Sequence, residues 1–237
     1  MAKEPSAAQP LTEVLEECSL FLGVPSTEFN AILSRMQTFQ VRKGRILIHR
    51  GDTTKDTYFL ISGRAVGQLI SDNGKEILFS EIVPGQYFGE LAALDGEPRS
   101  ITISASADCT LAKLSEDDFC DMLLEYPQTA VNLATDLALR LRSMNERVFG
   151  LVVHDVDTRV RLHLMRLAQS QEQLVPGGVV EQVPTHEVLA RFIGANREAV
   201  SRAMAKLSKS GVISSERGKA TILDLPKLIS GLEDADA

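Results

Sequence analysis

The chain has 237 residues, enough for one large or two small domains, and its 44% hydrophobic and 24% charged content is an ordinary globular mixture. No run approaches the roughly 18 apolar residues that span a bilayer, and the polar residues 1–10 hold no apolar signal core, so neither membrane insertion nor export is expected. The net charge of −7 disfavours an acidic partner only as a total: residues 184–219 carry seven basic side chains against three acidic ones, so nucleic acid stays open.

Residues 11–35 read as short helical pieces with Leu15, Phe21, Leu22, Phe29, Ile32 and Leu33 as apolar contacts. Cys18, Cys109 and Cys120 have no paired or ligand-like spacing, which fits a reducing, cytoplasmic setting. From about 38 to 114 the pattern turns to period two. Turn signals at 41–44, 61–63, 71–74 and 83–85 separate strands at 57–61, 65–70 and 76–82, and Ile101, Ile103 and Ala105 alternate with polar neighbours in a later one. Short strands at this spacing suggest a sandwich or a closed barrel, and the segment reads as a small β-barrel of jelly-roll type.

Ser115 reads as an N-cap, with Glu116, Asp117 and Asp118 in the first turn where the helix dipole favours acids. After Pro127 a long helix is expected to about Val153. Its apolar residues Ala134, Leu137, Leu141, Met144, Val148 and Leu151 step by 3, 4, 3, 4, 3, the seam of a coiled coil. A seam of that length behind a complete barrel predicts a partner helix, most simply that of a second copy. Asp155 reads as the next N-cap, with a stripe of Val156, Val160, Leu164 and Leu167 ending near Gln171. A turn at 176–178, a short strand at 179–183, helices at 185–193 and 197–208 joined through Gly194-Ala195-Asn196, and a hairpin at 211–225 tipped by Arg217-Gly218-Lys219 complete a winged helix-turn-helix. The expected class is α+β. Its parts are a ligand-binding barrel at 1–126, a dimerisation helix and hinge at 127–154, and a DNA-binding domain at 155–237.

Two constellations carry chemistry. On the second short helix, Val200, Ala203 and Leu207 form an apolar stripe facing Val188, Leu189 and Phe192. Arg197, Glu198, Ser201 and Arg202 share the opposite face near the helix start. That end of a helix-turn-helix enters the major groove, where arginine reaches guanine O6 and N7 and glutamate accepts from cytosine N4. The bland alternative is an exposed Glu198–Arg202 ion pair. Thr185, Lys206, Arg217 and Lys219 are further DNA-facing candidates. The second constellation is Phe88-Gly89-Glu90-Leu91 followed by Arg99-Ser100. Gly89 permits a tight turn into a short helix whose free N–H groups suit an anion. Glu90 can accept from a sugar hydroxyl. Arg99, placed at the start of an inward-alternating strand, would be a charge inside a barrel and needs an anion, to which Ser100 can also donate. Here the bland alternative is a plain turn with a Glu90–Arg99 ion pair.

On these motifs the chain resembles the bacterial catabolite activator protein family, the cyclic AMP receptor proteins of the Crp/Fnr superfamily, from about residue 15 to 225. The resemblance implies that Gly89, Glu90, Leu91, Arg99 and Ser100 form the phosphate-binding cassette, with Glu90 on the ribose hydroxyl and Arg99 and Ser100 on the cyclic phosphate. It implies that Arg140 lies near the nucleotide and that Asp155 is the interdomain hinge. It further implies that Arg197, Glu198 and Arg202 read bases in palindromic TGTGA-like sites, with Ser201 beside them as in the oxygen-sensing branch of the superfamily. The expected partners are double-stranded DNA, a cyclic nucleotide, a second copy of the chain and RNA polymerase, with no membrane, no metal and no cofactor. Where the family often places Thr then Ser against the adenine, this chain has Met144-Asn145. Cyclic AMP is therefore the expected effector with cyclic GMP as an open alternative, and a ligand-independent regulator or one sensing another small molecule is the rival reading. An enzyme is not expected: the barrel holds only His49, too few ligands for a metal-dependent barrel enzyme.

Overall fold

The computed structural model describes residues 11–70 and 76–230, and it divides into two compact units that meet in sequence between Leu141 and Arg142. The turn expected at 71–74 and the acidic end of the chain, residues 231–237, lie outside the described residues.

The first unit opens with α1 (Leu11–Glu16), a 3-10 turn (Ser19–Phe21) and α2 (Ser26–Ser34). Eight strands follow: β1 (Gln37–Val41), β2 (Ile46–Ile48), β3 (Thr57–Ser62), β4 (Ala65–Ile70), β5 (Glu76–Ile82), β6 (Tyr87–Phe88), β7 (Thr102–Ala105) and β8 (Cys109–Leu114). They form two four-stranded sheets in the orders β1-β8-β3-β6 and β2-β7-β4-β5, with every described pairing antiparallel. The expected jelly-roll is present, and of the sandwich and the closed barrel it takes the open sandwich form. Alternation and turn spacing fix the strands but not closure, because a sandwich and a barrel share the same period-two pattern.

Its core has two layers. Ile48, Leu60, Phe88, Ile103 and Leu111 fill one apolar cluster, while Phe59, Ile61, Tyr87, Ala112 and Leu114 belong to another with the helical residues Leu15, Leu20, Phe29, Phe119 and Leu133. Strand β3 is therefore buried on both faces, which is why Phe59-Leu60-Ile61 runs apolar without alternation. Phe59 lies 5.5 Å from Phe21 and 6.0 Å from Tyr87, ring centre to ring centre.

Two helices close this part of the chain. In α4 (Glu116–Glu125) Ser115 accepts from the Asp118 N–H at 3.1 Å, as the cap signal requires. Helix α5 (Pro127–Val153) buries Thr129 and Leu133 in the first unit. Of its seam, Leu137 packs against that core instead of facing outward. Leu141, Met144, Val148 and Leu151 are exposed, as are Phe149 and Val152.

The second unit takes α6 (Val156–Ser170), α7 (His186–Ile193) and α8 (Arg197–Lys209), each started by a side-chain cap: Asp155 on Thr158 N–H, Thr185 on Val188 N–H and Asn196 on Ala199 N–H. Val160, Leu164, Leu189, Ile193, Val200 and Leu207 form its core. The hairpin strands β10 (Ile213–Glu216) and β11 (Lys219–Ile222) are joined by β9 (Val179–Glu181), which stops two residues short of the expected strand, in the order β10-β11-β9. A last helix, α9 (Leu225–Ser230), was not expected. It is only six residues long, and its fully buried Leu228 anchors it in the second core.

His163 on α6 is an anomaly in this core. Its Nε2 has no hydrogen-bond partner among the described residues, and its ring sits 5.6 Å from that of Phe192. Burial first, then the nearby Arg166 and Arg147 charges, push its pKa down to about 4 from 6.5. Above the unfolded value the ring is neutral in both states. As pH falls from 6.5 towards 4 the unfolded chain takes up a proton that the folded one refuses, so stability is lost across that window, by about 3 kcal/mol when complete. Urea denaturation at about pH 7.5 and about pH 4.5 is expected to show this loss in the second unit, and His163→Met should remove most of it. Equal acid sensitivity in wild type and variant would contradict the account.

Candidate functional site

The ligand candidate lies in the first unit. Gly89, between β6 and the short helix α3 (Glu90–Asp95), has φ +88°. A Cβ there would lie 2.8 Å from Arg99 Nη1 and 3.0 Å from the Asp56 carbonyl oxygen, so both the left-handed backbone and the close approach require glycine. Arg99 follows Pro98 in the loop before β7 and not in the strand as expected. Its N–H donates to the Asp52 carbonyl and its own carbonyl accepts from Gly51 N–H, so it pairs with the 51–52 loop and not with the sheet.

The Arg99 side chain is directed inward and the residue is only 3% exposed. Nε donates to Thr54 Oγ1 at 3.2 Å, Nη1 to the Gly89 carbonyl at 2.6 Å and Nη2 to the Asp56 carbonyl at 2.8 Å. All three acceptors are neutral. Three of the five guanidinium N–H groups are used, and the rest have no acceptor among the described residues. Burial works against its charge and lowers its pKa, with Tyr58, Asp56, Asp52 and Glu90 opposing from a distance.

The Glu90–Arg99 pair of the bland reading does not form. Glu90, 4% exposed, instead accepts from Arg140 Nη1 at 2.7 Å. Burial raises the Glu90 pKa, and Arg140 opposes that rise. Arg140 also reaches the Tyr87 carbonyl at 3.4 Å and stands over the Tyr87 ring at 4.9 Å. Leu91 and Ser100 are exposed beside this centre.

Behind it is a tie that the sequence reading missed. Asp136, one helical turn before Arg140, accepts from Tyr87 Oη at 2.7 Å and from Ser19 Oγ at 2.6 Å. One face of α5 is thus fixed to β6 at two points, and Tyr87 takes part in both. The i, i+4 spacing of Asp136 and Arg140 was a usable signal; the partners Ser19 and Tyr87, 117 and 49 residues away, were not.

The nucleic-acid candidate lies in the second unit. Arg197, Glu198, Ser201 and Arg202 line one open depression with Asn196, so α8 presents them on a single face as its spacing predicted. Glu198 and Arg202 make no ion pair with each other, and among the described residues Arg197, Glu198 and Arg202 hold no partner, so the bland alternative does not form. Ser201 Oγ lies 2.9 Å from His186 Nδ1. The turn before α8 is held from below: Arg159 donates to the Ile193 carbonyl at 2.6 Å and Arg147 to the Phe192 carbonyl at 2.8 Å, satisfying the last carbonyls of α7.

The remaining candidates differ in freedom. Arg217, in the two-residue turn of the wing, is exposed and has no partner among the described residues. Lys219 begins β11 and pairs with Glu181 at 2.7 Å, and Lys206 pairs with Asp157 at 2.5 Å, so neither is a free cation. Thr185 is exposed and spends its hydroxyl as a cap acceptor. Met144 and Asn145 are both exposed on α5. Asp155 is the cap of α6, and the Thr158 N–H it accepts from holds its carboxyl below the usual carboxylate range. Among the described residues no three His, Cys, Asp or Glu side chains come together as a metal-ligand set, and no helix is long and apolar enough to cross a membrane.

A sandwich whose buried guanidinium has no ion-pair partner among the described residues and sits beside the left-handed turn at Gly89, followed by a winged helix-turn-helix with free arginines, has the make-up of a ligand-binding transcription regulator. Comparison with known proteins agrees. Residues 38–126 match the cyclic nucleotide-binding domain and residues 158–230 the Crp-like helix-turn-helix domain. The chain is 28% identical over 220 residues to a CRP-like cAMP-activated global transcriptional regulator of Mycobacterium tuberculosis, covering 92% of this chain and 98% of that one. It is 28% identical to the catabolite activator protein of Thermus thermophilus, with 90% and 99% of the chains covered and a TM-score of 0.54. The fold alone is shared with a c-di-GMP-responsive global regulator of Xanthomonas campestris, at 19% identity, TM-score 0.73, and 84% and 100% coverage. The chain belongs to the Crp/Fnr superfamily of bacterial transcription regulators. It carries a cyclic nucleotide-binding domain and a DNA-binding helix-turn-helix.

The tie on Asp136 can be tested alone. Tyr87→Phe keeps the ring under Arg140 and removes only the hydroxyl, leaving the carboxylate short of a donor. The first unit should lose about 1.5–3 kcal/mol in denaturant unfolding, the size of a hydrogen bond to a charged group. An unchanged midpoint would mean that solvent replaces the phenol at no cost.

Proposed function

We propose that the protein is a cytoplasmic homodimer whose affinity for palindromic, TGTGA-like DNA sites rises when cyclic AMP occupies each sandwich. The observation that supports this most is Arg99: a buried cation whose three acceptors are all neutral, and which keeps two further N–H groups unused among the described residues, is completed by a bound anion. In this reading Arg99 and Ser100 hold the cyclic phosphate, the backbone from Gly89 through Leu91 adds N–H groups, and Glu90 accepts from the ribose hydroxyl while Arg140 keeps it in place. Working parts at 1–126, 127–154 and 155–237 follow, with Asp155 as the hinge.

The exposed face of Leu141, Met144, Val148 and Leu151 supports dimerisation through α5, since a lone chain leaves it in water. Asn145 keeps a polar group for the purine, and cyclic GMP is the second candidate effector. A regulator answering to another small molecule, or to none, is favoured by one observation: Met144 lacks the hydroxyl that the family often turns towards adenine. On DNA, Arg197, Glu198 and Arg202 read base edges in major grooves about 34 Å apart. Thr185, Lys206, Arg217 and Lys219 sit nearer the phosphates, with Arg217 the freest of them. RNA polymerase is the further partner.

The switch requires that ligand bind the DNA-competent state more tightly than the other. Fluorescence anisotropy on an operator duplex is expected to show tighter binding with cyclic AMP in wild type, and no response in Arg99→Leu while its fold is retained. An unchanged response in that variant would overturn the cassette. Glu198→Ala should cost about 1–3 kcal/mol at one base pair and relax its specificity. A loss spread evenly over all sequences would contradict base reading by Glu198.

A further inference from the structure

Among the recognition-helix side chains in the depression, Ser201 alone is held by another side chain. Arg197, Glu198 and Arg202 project freely, whereas Ser201 Oγ lies 2.9 Å from Nδ1 of His186, the first residue of α7. Both residues are partly buried, so the contact is half-shielded within the helix-turn-helix while Ser201 still lines the depression.

A hydroxyl has one hydrogen to donate and two lone pairs to accept with, and an isolated serine rotates to suit whatever base it meets. A neutral imidazole donates from one nitrogen and accepts with the other. The His186 Nε2 has no protein partner and is open to water, which can accept its proton. With the proton there, Nδ1 accepts, Ser201 spends its only hydrogen on it, and the lone pairs of Oγ are what remain for the groove. In the major groove the matching donors are the exocyclic amino groups, N6 of adenine and N4 of cytosine.

We propose that His186 is a positioning residue that sets the hydrogen-bonding polarity of Ser201, making it an acceptor that selects an amino-bearing base at one position of each half-site. This rests on DNA reading by α8 and adds the chemistry of one further base pair. Nothing in the spacing hinted at it: His186 and Ser201 are 15 residues apart and meet only because α7 and α8 cross.

The test measures the whole protein, with and without cyclic AMP, on duplexes in which each base pair of the half-site is replaced in turn by the other three. Ser201→Ala and His186→Ala are each expected to lose roughly 3- to 10-fold of discrimination at the same base pair, the scale of one neutral hydrogen bond. The double variant should lose no more than either, because the two side chains act as one unit. His186→Asn, whose Oδ1 can accept where Nδ1 does, should restore most of the preference. If His186→Ala weakens all duplexes alike, leaves the pattern unchanged, or shifts a different base pair, the proposal is overturned. Glu198→Ala on the same panel separates the two levels: a change at its own base pair keeps DNA reading by α8 intact whatever His186 does.

Discussion

The Arg99 guanidinium is the constraint around which the first unit is organised. A cation at 3% exposure has lost most of its hydration, and among the described residues no carboxylate forms an ion pair with it, Asp56, Asp52 and Glu90 acting only from a distance; three neutral oxygens hold it in orientation but do not neutralise it. The chain makes room for this arrangement at cost to its own regularity. Gly89 adopts a backbone that other residues avoid, the loop around Arg99 leaves the sheet to pair with residues 51–52, and Glu90 is turned away to a different arginine. Gly89 thereby offers its carbonyl to Arg99, and Glu90 is spent on Arg140. A structure under selection for stability alone would pair or bury the group otherwise, so the arrangement fits a site built for an anion that comes and goes.

The second cation, Arg140, ties the same site to α5. It meets Glu90 from the helix side, and Asp136 one turn earlier is bound to Tyr87 and to Ser19 in the 3-10 turn. A ligand that engages Glu90 therefore acts on groups that already fix the helix. Further along, the same helix contributes Arg147, which with Arg159 of α6 satisfies the end of α7 just ahead of the recognition helix. Differential binding at the first site can bias the second only through elements of this kind, each held by a few strong contacts.

Much of this was legible before any coordinates. The caps at Ser115, Asp155 and Asn196, the strand punctuation and the two helices around Gly194 follow from short-range rules, because capping and turn chemistry are decided by residues within four positions. The shared face of Arg197, Glu198, Ser201 and Arg202 followed from helical period alone. What failed was non-local. Closure of the sheet depends on strand pairing that alternation does not encode. Leu137 belongs by spacing to the seam but by packing to the first core, and α9 is too short to show a period. Lys206 and Lys219 looked like free cations until the fold brought Asp157 and Glu181 beside them. Within the cassette, the residue types were readable, but the partners of Arg99 are backbone carbonyls, which carry no side-chain signature.

Whether Arg99 takes a cyclic phosphate decides between a regulator that answers to a cyclic nucleotide and one that answers to another effector. Calorimetric titration of the whole protein with cyclic AMP, and separately with cyclic GMP, measures this directly. Saturable binding of one cyclic nucleotide per chain is predicted. Absence of binding by either nucleotide would contradict it, and would leave a DNA-binding regulator whose buried arginine answers to something else.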